Sequence, residues 1–365
     1  MTTTTVRPSA TGLRRRVLEL AERMTTPLVP GDYLDLVDPL RSGAPLRGRI
    51  TAVHPETRDS VTVMIKPGRG WQAHVPGQYV RVGVDVDGVR QWRTYSLTSH
   101  TDRPDGHISI TVKAMPDGKV SNYLTYRATV GTLLHLDQAA GDFVLPTAVP
   151  DKLLFVTAGS GITPVMGILR NLLDRTDAVT DAVVVHCAPT PDDVIFGGEL
   201  RGLAARGRIR LIEIHTAGDG RLDAARLHEL VDDLDQRRTW ACGPGGLLDA
   251  LQRHWAEQGV ADELHTERFR ADVVTTGDGG TVTFSKSGAT AQAAGDQTLL
   301  DAGEAAGVLM PSGCRMGVCF GCVVPLRRGA VRDVRTGDLT TAAEGDGVVI
   351  QTCISAAAGA CDIDI

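Results

Sequence analysis

Three thiols stand close together in 312-SGCRMGVCFGC-322, as Cys314, Cys319 and Cys322, and Cys353 follows in a separate stretch. The spacing C-x4-C-x2-C with a distant fourth cysteine is one by which four thiolates hold a [2Fe–2S] cluster. Gly313, Gly317 and Gly321 let the main chain close on an anionic cluster and turn its N–H groups inward. Four thiolates also suit tetrahedral zinc, although zinc sites more often pair one C-x2-C with a second, which this chain lacks. Cys187, Cys242 and Cys361 are left over, and such a residue is usually a small buried hydrophobe.

Other short stretches carry groups suited to phosphate and redox work. They are 93-RTYS-96, with 76-PGQYV-80 before it, and 110-ITVKAMPDGKVSNYL-124, with 141-GDFVLP-146 after it. Further on come 157-TAGSGITPVMGIL-169, 242-CGPGGLL-248 and 266-TERF-269. The glycines of TAGSG follow an apolar strand and open a helix, which brings a pyrophosphate close to a helix N-terminus. The stretch is not a G-x-G-x-x-G fingerprint, so its glycines alone do not identify a nucleotide.

These stretches need elements to hold them. Residues 46–150 read as short strands with Gly/Pro/Asp punctuation (LRGRITAV, SVTVMIK, QYVRVGV, WRTYSLTS, HISITVKA), a short helix through DGKVSNYLTYRA and a return strand at GTLLHLDQ. That pattern predicts an antiparallel barrel or sandwich. From 151 to 270 strands alternate with helices: LLFVTA, ITPVMGILRNLLDR, DAVVVHC, a helix through PDDVIFGGELRGLAA, RIRLIEIHT, LDAARLHEL, TWACGP and GGLLDALQRHWAEQG. This predicts a parallel sheet covered on both faces. A linker at 271–280 precedes a third unit, 281–365, with TVTFSKSG, a helix through QTLLDAGEAAG, the cysteine loop, VVPLRRGAVRD and VVIQTCIS. Residues 1–45 stand apart; TGLRRRVLELAERM fits an amphipathic helix, either a strap on the barrel or a partner-docking element.

The chain has 365 residues and a formal charge of −6. That balance argues against nucleic-acid binding, which wants a basic face. By count, residues 271–365 hold 11 Asp/Glu and 6 Lys/Arg, so nearly all the negative charge lies in the third unit. No apolar run is long enough to span a bilayer and no signal-peptide core follows the N-terminal basic residues, which predicts a cytoplasmic protein with no membrane span. The odd number of cysteines argues against a disulfide framework.

Taken together, the motifs resemble the ferredoxin–NADP reductase superfamily, of the kind with a fused C-terminal plant-type ferredoxin domain, over about 46 to 365. The resemblance implies an antiparallel β-barrel flavin domain, an α/β parallel-sheet nucleotide-binding domain and a β-grasp ferredoxin-like [2Fe–2S] domain. It implies that Arg93 pairs with the flavin pyrophosphate, with Thr94 beside it, that Tyr95 packs on the flavin, and that Ser96 bonds the ring near N5. Val112, Lys113, Gly118, Lys119, Val120 and Ser121 form the flavin phosphate site at a helix start. Thr157, Gly159, Ser160, Gly161, Thr163 and Pro164, with Cys242, Gly243 and Pro244, hold the nicotinamide nucleotide. Ser96, Cys242 and Glu267 then carry catalysis, and Cys314, Cys319, Cys322 and Cys353 hold the metal. FAD is the implied flavin, with FMN the alternative.

The resemblance further implies that NAD(P)H gives a hydride to the flavin, which releases single electrons through the cluster to an acceptor. NADPH is preferred over NADH, because 186-HCAPT-190 carries no acidic ribose ligand and His186 or Arg221 could serve a phosphate. The barrel and 31-GDYLDLVDPL-40 resemble reductases of membrane fatty-acid desaturases, so any membrane contact would be peripheral, through the acceptor. Similar chains serve Rieske ring-hydroxylating oxygenases or haem-thiolate monooxygenases. An electron carrier with vestigial reductase domains is the reading from another class, and the intact RTYS, GKVS and CGP motifs weigh against it.

Overall fold

The computed structural model describes residues 34–365 apart from 36, 87, 117, 174–180, 270–275, 314, 316, 318 and 319. The amphipathic helix expected near the N-terminus lies outside the described residues.

The first unit is built from β1 (Arg47–Thr57), β2 (Ser60–Pro67), β3 (Tyr79–Val86), β4 (Val89–Ser96), β5 (Ile108–Lys113), α1 (Lys119–Tyr126) and β6 (Leu133–Leu136). Its six strands run in the order β4-β3-β6-β1-β2-β5, and a bridge from Leu97 to Ile110 joins the two ends into a barrel. Alternation explains the interior: Val80, Val82 and Val84 of β3 point inward with at most 1% exposure, against Val63, Ile65 and Ile110. Successive strand residues face opposite sides, so Arg81 and Asp85 of β3 point outward.

The second unit alternates as expected. It comprises β7 (Lys152–Ala158), α2 (Ile162–Leu173), β8 (Asp181–Ala188), α3 (Gly197–Ala205), β9 (Arg210–His215), α4 (Ala224–Leu230), β10 (Arg238–Cys242), α5 (Gly245–Glu257) and β11 (Leu264–Glu267). All pairings are parallel, in the order β11-β10-β7-β8-β9. Both faces are apolar: Phe155, Val184 and Trp240 pack beneath α2, while Val156, Val185 and Ala241 pack with Leu248 and Leu251 of α5. One element differs from expectation. Residues 191–196 are not helical; Pro191–Asp193 form a 3-10 turn, Phe196 takes φ 61°, and α3 starts at Gly197. Val194, Ile195 and Phe196 are all buried, and the left-handed φ at Phe196 breaks any right-handed helical path into Gly197.

The third unit holds β12 (Gly280–Phe284), β13 (Ala289–Ala293), α6 (Leu299–Ala305), β14 (Val323–Asp333), β15 (Leu339–Ala342), β16 (Val349–Gln351) and β17 (Ser355–Ile363). The order β13-β12-β17-β14-β15, with β12 and β17 parallel and their other partners antiparallel, is the β-grasp arrangement. The strand at VVIQTCIS is cut short: β16 ends at Gln351, and Cys353 sits in the turn before β17. No helix among the described residues is long and apolar enough to cross a membrane.

Candidate functional site

In an open parallel sheet, ligands sit beyond the carboxyl ends of the strands where the chain reverses its direction of travel across the sheet. Here the chain runs from β7 outward to β9, then returns to β10 on the other side of β7, so the reversal lies between β7 and β10. The ends of these two strands carry Thr157 and Cys242, which are register partners, and Cys242 is in turn the partner of Glu267 on β11. Three residues from separate motifs thus form one row across the sheet.

The turn after β7 fits tightly against the turn after β10. A Cβ on Gly161 would lie 2.1 Å from the Cys242 carbonyl oxygen, so any side chain there pushes backbone from backbone. Gly159 has φ +55° and open space where its Cβ would be. Thr163 donates from Oγ1 to the Ser160 carbonyl at 3.0 Å, and Thr163 and Pro164 are buried in the first turn of α2. The result is a helix N-terminus with an open glycine platform before it, a geometry that suits an anionic group.

The electrostatics of the row are distinct. Burial pushes the Glu267 carboxyl up to about 8, with Asp142 adding to the effect, so the group holds its proton at neutral pH. Its Oε2 is buried without a partner. Burial, then the neighbouring Glu267, raises the Cys242 thiol well above its ordinary value, so it stays a neutral thiol. His186 corrects an expectation. It is fully buried, its Nδ1 lies 2.8 Å from Thr157 Oγ1, and burial lowers its pKa to about 4. A neutral imidazole inside the sheet does not meet a nucleotide phosphate. Arg221 is exposed on the loop before α4.

On β4, Thr94 Oγ1 and Ser96 Oγ are buried and have no partner. Arg93 donates from Nη1 to its neighbour's carbonyl, Trp92 O, at 2.7 Å and has no carboxylate partner among the described residues. Burial, then the charge of Arg315, lowers its pKa, so the cysteine loop comes within electrostatic reach of β4. Tyr95 packs partly buried against the barrel core, and burial raises its phenol far above the ordinary range. A guanidinium without a counter-ion and two buried hydroxyls without partners are a donor set that fits a flavin nucleotide.

The neighbouring stretch is more self-contained. Val112 and Val120 are buried. Lys113 Nζ bonds both oxygens of Asp59, at 2.8 and 2.7 Å. Gly118 is the N-cap of α1, Lys119 and Val120 begin the helix, and the Ser121 hydroxyl closes the loop by accepting from Met115 N and donating to Gly118 O, each at 3.2 Å. Ser121 therefore shapes the turn, and the backbone N–H groups of α1 are the part open to an anion.

What fixes the flavin-type strand against the nucleotide-type turn is a seam that the motif pattern did not contain. Immediately after Ser96, the segment 97–101 lies along α2. A Cβ on Gly167 would lie 2.3 Å from the Leu97 carbonyl oxygen. Asn171 Oδ1 accepts from Thr101 N and Thr101 Oγ1 at 2.8 and 2.9 Å, and its Nδ2 donates to Ser99 O at 3.1 Å. Arg170 donates to Thr98 O at 2.6 Å and grips Glu199 with its remaining nitrogens. One signal pointed to this seam: a glycine in mid-helix usually marks a close approach. Asn171, Arg170 and Asp142 carried no such signal.

In the third unit, Cys322 and Cys353 are buried with their Sγ atoms 3.2 Å apart, too far for a disulfide and close enough to share a metal cluster. Cys314 and Cys319 lie outside the described residues, and the described ones alone hold no group of three metal-ligating side chains. Gln351 donates to the Gly317 carbonyl at 3.0 Å, tying the loop to the strand before Cys353. Phe320 is 66% exposed with φ 54°, an outlier for an aromatic residue. Two buried thiols brought together from distant segments fit the cluster that the spacing requires.

The barrel with unsatisfied donors, the parallel sheet with its glycine turn and the β-grasp unit with paired thiols together define a flavin- and nicotinamide-dependent oxidoreductase with an iron–sulfur centre. Residues 71–144 match the oxidoreductase FAD-binding domain, 155–253 the oxidoreductase NAD-binding domain, and 282–358 the 2Fe-2S iron-sulfur cluster binding domain. The chain belongs to the ferredoxin–NADP reductase superfamily, in the branch with a fused C-terminal [2Fe–2S] domain. It is 47% identical over 371 aligned residues to the "NADPH oxidoreductase" of Mycobacterium tuberculosis, covering 99% of this chain and 96% of that one. It is 33% identical over 310 residues to the "Glycine betaine monooxygenase reductase subunit" of Chromohalobacter salexigens, covering 76% and 84%. The fold resembles that of phthalate dioxygenase reductase, with a TM-score of 0.60 at 21% identity over 87% of this chain and 97% of that one. The chain is an electron-transfer reductase of the FAD, NAD(P) and [2Fe–2S] type.

Proposed function

We propose that this reductase oxidises NADPH and passes the electrons one at a time to a fatty-acid desaturase. The match to an NADPH oxidoreductase over 99% of the chain supports the nucleotide, and the desaturase acceptor rests on the resemblance of the barrel stretches and of 31-GDYLDLVDPL-40 to reductases of that class. The oxygenase reductases named among the relatives match over smaller shares, 76% for the glycine betaine enzyme of Chromohalobacter salexigens. Their names favour a second reading, in which the acceptor is a terminal monooxygenase or dioxygenase component.

When bound, FAD accepts a two-electron hydride and the cluster carries one electron at a time, which converts a pair donor into single-electron output. The residues of this chain supply position and charge. Arg93, with Thr94 and the N-terminus of α1 at Gly118–Ser121, would hold the flavin phosphates, and Tyr95 would lie against the ring. The Ser96 hydroxyl, buried without a partner, would bond the ring at N5, where a proton is gained and lost. The platform of Thr157, Gly159, Ser160 and Gly161 with Thr163, Pro164, Gly243 and Pro244 seats the nicotinamide nucleotide. The neutral Cys242 thiol would face nicotinamide C4, with Glu267 keeping a proton beside it. The four cysteines 314, 319, 322 and 353 hold the cluster, which the acidic third unit presents to a basic face of the acceptor.

Reconstitution tests this directly. Purified reductase is combined with an acyl-CoA desaturase, a Rieske oxygenase component or a haem-thiolate monooxygenase, and turnover is followed with NADPH or NADH over a salt series. The proposal requires coupled desaturation, a higher kcat/KM for NADPH, and rates that fall as salt rises. Coupling to an oxygenase component alone supports the second reading. Failure to reduce ferricyanide or cytochrome c with either nucleotide would instead mark the chain as a carrier.

A further inference from the structure

The turn between β14 and β15 places a cation on the cysteine loop. Gly317 lies between Cys314 and Cys319 in the sequence and takes φ +77°. The Arg335 Nη1 atom lies only 2.5 Å from where a Cβ on Gly317 would stand, so the guanidinium rests on the bare backbone of this glycine. Arg335 is held there from behind. Asp333 Oδ1 accepts from Arg335 N at 2.8 Å and Nε at 3.2 Å, and Asp333 Oδ2 accepts from Nη2 at 3.0 Å. The ion pair is therefore oriented, with its positive end on the ligand loop and its negative end directed away.

We propose that the Asp333–Arg335 pair sets the reduction potential of the iron–sulfur centre, with Arg335 favouring the reduced state. The inference rests on the reading of Cys314, Cys319, Cys322 and Cys353 as cluster ligands. Adding one electron makes the centre more negative by one charge, and a fixed guanidinium against the ligand loop stabilises that charge through a medium drier than water. Glycine at 317 has a second use in this light: any side chain there would displace the guanidinium from the loop. Asp333 opposes the effect at longer range while fixing the rotamer, so the two residues act with opposite sign. Arg328, on β14, pairs with Asp362 on β17 at 3.7 Å and serves as a control for loss of one positive charge from the unit.

The test is a redox titration of the intact holoprotein, read by the electron paramagnetic resonance signal of the reduced centre and by visible absorbance. In Arg335→Gln the ratio of reduced to oxidised centre at a fixed ambient potential falls about threefold to tenfold. Tenfold corresponds to a shift of about 59 mV for a one-electron couple. In Asp333→Asn the ratio rises, and in Arg328→Gln it stays within about 1.5-fold. Arg335→Lys keeps the charge and retains most of the wild-type ratio. Shifts of the same sign in Arg335→Gln and Asp333→Asn, or none in either, overturn the proposal. If Arg335→Gln fails to load a centre, Asp333→Asn and Arg335→Lys still decide, by the upward shift and its absence respectively. A wild-type protein with no such resonance removes the cluster assignment itself, and the inference with it.

Discussion

Replacing Glu267 by glutamine tests whether the carboxyl beside Cys242 holds a proton. In the unfolded chain a glutamate titrates near 4.5, and in the folded protein burial moves this one to about 8. The folded state thus binds the proton more tightly. Its contribution is fully present below pH 4.5, weakens as pH rises through the interval, and is gone above about 8. The full shift corresponds to about 5 kcal/mol, and because the side chain is only partly buried, about 2–3 kcal/mol of pH dependence is expected between pH 5.5 and pH 9. Glutamine fills the same space with no proton to lose. Unfolding of wild type and Glu267→Gln is followed by calorimetry of the holoprotein at several pH values, so that the other titrating groups cancel in the difference. The variant gains on wild type as pH rises, by about 4–10 °C in Tm between the two ends of the range. Two curves that stay parallel from pH 5.5 to pH 9 would refute a protonated carboxyl at neutral pH, and with it the proton-holding role beside the thiol.

Three further outcomes follow from the geometry. Gly161→Ala drives a Cβ into the Cys242 carbonyl, so single-turnover flavin reduction by NADPH in a stopped-flow instrument slows about a hundredfold while flavin stays bound. Arg93→Ala removes the one uncompensated guanidinium of β4 and weakens flavin retention about tenfold to a hundredfold, read as flavin fluorescence released on dilution. Cys353→Ser abolishes the visible absorbance of the cluster and reduction of a one-electron protein acceptor, while NADPH-dependent ferricyanide reduction continues through the flavin.

Much of the architecture was legible because its signals are local. The change from period-two strands to alternating strand and helix separates the barrel from the parallel sheet, and β1 to β10 lie where the apolar runs placed them, while the short β11 was not expected. Three strands of the third unit were not legible, among them β15, which is only the four residues LTTA. β13 reads ATAQA and β17 reads SAAAGACDI, and alanine has a weak preference for strands. Tertiary context chose those residues: Ala356 and Ala357 are fully buried in β17, where it runs between β12 and β14. His186 shows the opposite failure. Its position near the end of β8 was readable, yet side chains alternate along a strand and nothing local said that this one turns into the sheet toward Thr157. Likewise the motifs supplied Ser96 and Gly161 separately, while the contacts that relate them, from Asn171 and Gly167, join residues about seventy apart.

That seam has a consequence for recombining this reductase with its relatives. A chimera that exchanges the nucleotide half at the boundary near residue 150 imports a new α2 but keeps the old 97–101 segment. Segment 97–101 would then lose the Asn171 amide that clasps it, and any side chain in place of Gly167 would strike Leu97. Folding could survive such an exchange while the spacing between donor and acceptor sites drifts. The transferable module is therefore discontinuous in sequence: the five residues after the flavin strand belong with the helix they clasp, and should travel with it.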